Sequence, residues 1–459
     1  MMREQAGDFD RVTHRSDSGI WWLHPGCVFG VSGLLIAIAA YVIPESIYKN
    51  YWRTPKFFDL AALEVSVACV AVFVFGTILS TLYVTRVPWP ASKNISEKID
   101  WGVMMFFFRA SFWLCLLGYA FWIGFAIQRG MTLNALLDVL AAEKGAMYDA
   151  RYSYLGTVGG VTTLAEFGIA TMIFGAIIGC CRGWRSVWWK LVLIVGLALI
   201  RALVNSERFA LIELFVPFFV AAVVFWYRGS SQVNGFVRFL VKFAPVIGAS
   251  ALLLLFTGFE YFRSWKNYYA GRDLDLWEFG AIRLLGYYVT SFNNGAYFLS
   301  HLEPLNAPYF TFHFLWNFPL SIPVVRRLFP NPLLDSNDKW FYFPFLDRDA
   351  NLEFNNADGM MFPAMAFGIA GGLIYWLLIG LACGLVYALY RRRKPLGLLL
   401  YPLIYLGVME VPLALYWSEG RALPSECLLL GAPLLFWYLR RQFPAKNRFQ
   451  SGKVPLEVS

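Results

Sequence analysis

Charge is what this chain has least of. Asp, Glu, Lys and Arg make up 15% of its 459 residues, where ordinary soluble domains carry about a quarter, and 58% of the residues are hydrophobic. That balance excludes a soluble enzyme with a water-facing surface on all sides. Histidine is almost missing, with four scattered copies. The seven cysteines, Cys27, Cys69, Cys115, Cys180, Cys181, Cys383 and Cys427, follow neither a disulfide framework nor a zinc-ligand spacing. Each lies in or beside an apolar run, where a thiol serves as a small filler. Nothing in the sequence calls for a metal or another cofactor. Alternation of apolar and polar residues is lacking too, which argues against a membrane β-barrel, because an unsatisfied backbone is intolerable in lipid and barrel strands alternate.

What is there in abundance is long apolar runs. A helix crosses a bilayer in roughly 17 to 25 residues, and such runs recur at 21–43, 60–85, 101–127, 159–181, 187–204, 209–227, 243–257, 363–390, 396–415 and 423–439. The expected fold is all-α: a polytopic membrane protein of about ten transmembrane helices, forming one integral membrane domain over 1–459. Lys and Arg favour the cytoplasmic side of short loops. With both termini inside, the tails and inner loops hold 21 basic residues against 8 in the short outer loops. The net charge of +9 is therefore topology rather than a sign of nucleic-acid binding. The N-terminal apolar run, ending near Ala37-Ile38-Ala39, could also be read as a cleaved leader; its long polar lead and continuation through Ile43 favour a retained span.

Between the seventh and eighth spans lies a segment of a different kind, residues 258–364, which the topology places outside and which is expected to contain helices. A loop this long usually has its own structure and a job. It holds 27 aromatic residues, eight Lys or Arg and eleven Asp or Glu. Rings beside polar groups suit sugars, whose C–H faces stack while hydroxyls hydrogen-bond; rings also anchor helices at headgroup level. The loop opens with FEYFRSWKNYYAGRDLD, bringing Arg263 and Arg272 out of a span where a lipid-linked phosphate would meet guanidinium forks. Residues 279–301 read as an amphipathic helix with Arg283, Tyr287, Asn294 and His301 on one polar stripe, and Tyr288 beside it. Arg283 and His301 would be about 27 Å apart along it, and Gly295 is a possible break.

Charges inside apolar spans are expensive and mark functional sites by default. VNSERFALIELFVPFFV, 204–220, carries Arg208 and Glu213, with Arg201 just before it. Asn205 and Ser206 are the natural turn of an outer hairpin, so Arg208 is expected at the surface, with Arg201 and Glu213 paired below it. Two function classes fit such residues. One is a transferase acting on a polyprenyl-diphosphate-linked sugar chain, with arginines holding the diphosphate as the sugar departs and a carboxylate or histidine taking the acceptor proton. The other is a transporter or flippase, which often shows two repeated halves; no such repeat is visible here.

Three stretches carry a resemblance to a known family. SERFALIELFVPFFV at 206–220, RLLGYYVTSFNNGAYFL at 283–299, and Asn355-Asn356 followed by AFGIAGGLIYWLLIGLACGLVYALY from 366 resemble, in that order, segments of bacterial oligosaccharide repeat-unit polymerases, the Wzy-type O-antigen and exopolysaccharide polymerases. The likeness covers most of 60–440. It implies a glycosyltransferase of the bacterial inner membrane that passes an undecaprenyl-diphosphate-linked glycan chain onto a lipid-linked repeat unit at the periplasmic face, without a metal, beside a flippase and a chain-length regulator of the same pathway. By position, Arg208 and Arg283 match the family's arginines. Where an acid is common in relatives, this chain has Ala366, which leaves Asp358, Glu353, Glu213 and His301 as candidate bases. An O-antigen ligase shares the span count, the large outer loop and the use of arginine, and is the closest alternative.

The topology is directly testable: a reporter fused after residue 320 should be periplasmic and one after residue 393 cytoplasmic, and the reverse pattern would overturn the orientation.

Overall fold

The computed structural model describes residues 20–86, 100–141, 143–156, 162–205, 208–228, 235–269, 274–301, 311, 343–418 and 420–442. Helix accounts for 86% of it and no strand occurs among the described residues. The principal helices are α1 (Pro25–Val42), α2 (Leu60–Arg86), α3 (Trp101–Gln128), α4 (Phe167–Arg182), α5 (Trp188–Asn205), α6 (Phe209–Arg228), α7 (Ala244–Glu260), α8 (Leu276–His301), α9 (Phe362–Arg391), α10 (Pro395–Glu410) and α11 (Leu423–Gln442). Among the described residues, eight segments are long and apolar enough to cross a membrane, and the apolar stretches of α10 and α11 are shorter. All ten expected spans thus correspond to helices, as in a multi-pass membrane protein.

Two apolar cores hold the helices together. One is built from α3, α4, α5, α6 and α11; the other gathers α1, α2, α8 and α9. Helix α10 joins them, burying Leu398, Leu399 and Tyr401 in the first and Val408 in the second. Because lipid is as apolar as a leucine, helices in a membrane associate through close packing of small residues rather than through hydrophobic exclusion. The α2–α9 crossing shows this: a Cβ on Gly76 would lie 2.7 Å from the Leu377 carbonyl oxygen, and one on Gly380 would meet the Phe73 carbonyl.

Two features of the large loop differ from the sequence reading. Its first residues do not leave the bundle: Tyr261–Tyr269 continue α7 as a nine-residue π-helix, so the span reaches Tyr269 rather than residue 257. The polar stripe of helix α8 also does not face water along its length, for Arg283 and Asn294 are buried. The helix runs unbroken through Gly295, whose missing side chain makes room for Asp358. Val289, Thr290, Phe292, Asn293, Asn294 and Phe298 are all buried, because α8 packs back against α1, α7 and α9. Its polar groups are satisfied inside: the Asn293 amide donates to the Pro55 carbonyl at 2.8 Å, and its Oδ1 accepts from the Phe57 and Phe58 amides at 2.6 and 3.0 Å.

Glycine at the α2–α9 crossing is expected to be indispensable. Gly76→Val should cost about 1 to 3 kcal/mol by forcing the helices apart, read as a lower thermal midpoint of the detergent-purified protein; an unchanged midpoint would mean the helices do not cross this closely.

Candidate functional site

Charged residues from three parts of the chain collect around one carboxylate. Glu260 is the last residue of α7, and its side chain is fully buried. Its Oε1 accepts from Arg208 Nη2 at 2.8 Å and lies 3.7 Å from Arg263 Nη1; its Oε2 lies 3.1 Å from Arg283 Nε and accepts from Ser264 Oγ at 2.9 Å. The three guanidiniums come from three places: the α5–α6 hairpin, the π-helical extension of α7, and α8. Only the extension is close in sequence, and a π-turn is a frequent device at functional sites. Arg283 reaches a second carboxylate as well, donating from Nη2 to Glu353 at 2.6 Å.

Aromatic rings wall the cluster. The Arg208 guanidinium sits 3.9 Å from the Phe256 ring centre and 5.4 Å from Tyr287; Arg283 lies 5.3 Å from Phe354 and 5.6 Å from Phe279. Cation–ring attraction strengthens when water is excluded, so the walls hold the arginines without neutralising them. Tyr287 is placed by a hydrogen bond from Arg263 to its hydroxyl oxygen, 3.0 Å. Among the described residues, three cations here meet two carboxylates, Glu260 and Glu353. One buried donor, Arg208 Nη1, has no hydrogen-bond acceptor among the described residues, although buried donors nearly always have one; Arg283 Nε has the Glu260 carboxylate beside it. An anion with an acceptor oxygen could satisfy Arg208 Nη1.

Arg201 and Glu213 belong to a neighbouring cluster. Arg201 Nη1 donates to Glu166 at 2.8 Å, while Glu213 accepts from the Tyr416 hydroxyl at 2.9 Å and from Arg421 at 3.0 Å. Arg421 also lies 3.9 Å from Glu166. Arg201 thus meets Glu166, a partner the sequence reading did not name, because the residues just before α4 and α11 bring charges that hydropathy cannot place. The two limbs of the hairpin are as expected, with α5 ending at Asn205 and α6 starting at Phe209; Ser206 lies outside the described residues, and Arg208, expected at the surface, is turned inward with 12% of its side chain exposed, because Glu260 draws it in.

The remaining candidates lie apart. Asp358 is fully buried in a left-handed conformation (φ 58°) and accepts from the Met360 and Met361 amides, holding the turn that leads into α9. Burial holds its carboxyl well above the usual carboxylate range. His301 is exposed at the far end of α8, stacked on Tyr297. Asn294 donates to the Phe354 and Asn356 carbonyls at 2.8 and 2.9 Å, so it fastens the turn containing Asn355 rather than facing a ligand. Tyr288 lies in the field of Glu410 instead of the arginines. Arg272 is outside the described residues. Among the described residues, no three His, Cys, Asp or Glu side chains are grouped to hold a metal ion.

Sequence reasoning undervalued Glu260 and Glu353. Glu260 could have been found from its position at the end of an apolar run, three residues before Arg263, where i and i+3 side chains meet. Glu353 gives no such signal, for its partner is 70 residues away.

If Glu260 is the hub, Glu260→Gln should destabilise the detergent-purified protein by about 3 to 5 kcal/mol, the usual consequence of orphaning buried cations; a thermal midpoint unchanged from wild type would mean the arginines are solvated. Comparison of the chain with protein-family models, curated proteins and solved structures finds no match.

Proposed function

We propose that this protein is a membrane glycosyltransferase that lengthens a polysaccharide by moving a polyprenyl-diphosphate-linked glycan chain onto a lipid-linked repeat unit at the outer, periplasmic face of the bacterial inner membrane. The observation that carries the reading is the meeting of Arg208 and Arg283 at Glu260. These two arginines lie in separate stretches of the sequence, each part of a resemblance to repeat-unit polymerases, and they share one buried carboxylate.

The chemistry asks for such a cluster. When the bond between the sugar's anomeric carbon and the diphosphate oxygen breaks, negative charge builds on the leaving diphosphate. Preorganised cations in a water-poor site stabilise that charge at little reorganisation cost. Guanidinium forks match phosphate oxygens in pairs. Glu260 keeps the three arginines from repelling one another, and Arg208 Nη1, a buried donor without an acceptor among the described residues, is available to the diphosphate. A flippase needs charge along its path through the bilayer, whereas the charges described here gather at one end of the helices.

Arg208→Ala and Arg283→Ala should each lower the transfer rate about 100- to 1000-fold. In cells this should appear as loss of long-chain polysaccharide and accumulation of single lipid-linked repeats on gels. Normal chain lengths in both variants would overturn the site. In a deletion strain, full-length chains left unattached would instead indicate a ligase, and lipid-linked repeats stranded facing the cytoplasm a flippase.

A further inference from the structure

We infer that Glu353 is the general base of the transfer, the group that takes the proton from the attacking hydroxyl of the acceptor sugar; this rests on the transferase reading above. Among the carboxylates weighed for that role, it is the one that touches the arginine cluster. Asp358 is spent on the turn that leads into α9, Glu213 is held by Tyr416 and Arg421, and His301 sits at the other end of α8. Glu260 does touch the cluster, but its side chain is fully buried and both its oxygens are engaged, which suits a fixed counter-charge and leaves no approach for a sugar. Glu353 keeps 35% of its side chain exposed while Arg283 beneath it keeps 6%. It therefore stands where the buried cations meet water, the side from which an acceptor and its proton must come and go.

The backbone under Glu353 is built to hold it still. It belongs to the short 3-10 turn Leu352–Phe354. Asn351 pins the turn from one side, its Oδ1 accepting from the Glu353 amide at 3.0 Å and its Nδ2 donating to the Trp52 carbonyl at 2.9 Å. Asn294 pins the other side through the Phe354 carbonyl, and Phe354 itself is buried against Tyr287. A merely solvated surface glutamate would need none of this. Positioning a reacting group on a turn locked by neighbouring hydrogen bonds is how a site gains precision.

The step balances without a further reactant. The acceptor hydroxyl gives its proton to Glu353 as its oxygen attacks the anomeric carbon; the carbon–oxygen bond to the diphosphate breaks, and the electron pair leaves on the diphosphate, held by Arg208, Arg263 and Arg283. Glu353 then releases the proton to water. The Arg283 contact gives the order of events: a diphosphate that draws the Arg283 guanidinium toward itself releases Glu353 from its ion pair, so the base becomes free only when donor is bound.

The test uses full-length protein in liposomes, with polyprenyl-diphosphate-linked oligosaccharide extracted from cells deleted for this chain as both donor and acceptor. Glu353→Gln should lower kcat about 100- to 10,000-fold with KM within about threefold, bind the donor at least as tightly as wild type, and lose the acid limb of the pH–rate profile; Glu353→Asp should recover part of kcat and keep that limb. Wild-type kcat in Glu353→Gln, or a loss confined to donor binding, would overturn the assignment while leaving the transferase reading intact. Absence of any transfer by the wild-type protein under conditions where it binds the donor would overturn both.

Discussion

One buried carboxylate gathers three helical elements of this protein. Without Glu260, three guanidiniums from distant parts of the chain would stand within a few ångströms of one another in a medium too poor in water to screen them, and like charges in that setting repel strongly. With it, α7, α8 and the α5–α6 hairpin are fixed to a common point. A pair of buried opposite charges is weak evidence for stability alone, since apolar residues of similar volume often do as well. What the arrangement does is hold the three arginines converged on one point.

The hairpin gives that convergence a second support. Arg201 and Glu213, on its two limbs, are tied into the neighbouring group of Glu166, Arg421 and Tyr416, while Arg208 near its tip faces Glu260. The limbs are thus held by one set of ion pairs and the tip by another. Arg208 cannot swing far without disturbing buried charges on both sides, which is what an arginine needs if it is to meet a substrate at a defined distance.

Much of this was legible in the sequence, for a plain reason. Spans are recorded in apolar length, which is why ten helices appear where ten runs were read, and charge in or beside an apolar run is costly enough to be noticed, which is why Arg208 and Arg283 stood out. Partners are a different matter. That Arg201 meets Glu166 depends on which helices lie side by side, and helix neighbours leave no trace in hydropathy. The same gap hid the partner of Glu353, Arg283. Asp358 misled for another reason: an acid shortly before a span looks chemical, yet its oxygens accept from the Met360 and Met361 amides in the turn that leads into α9. Helix α8 misled through its polar stripe, because asparagines that satisfy buried backbone are indistinguishable by spacing from asparagines that face water.

Helix α7 carries a last consequence. Of the eight spans it is the least enclosed, with 22% of its apolar window buried, and Val246 and Leu254 point away from the protein. Yet its upper end holds Phe256 and Glu260, against which Arg208 lies. A headgroup seated on those arginines would therefore have the bilayer itself as its next neighbour along α7. A lipid of any chain length could leave its tail among other lipids, and the protein would need neither a tunnel to swallow that tail nor a ruler to measure it.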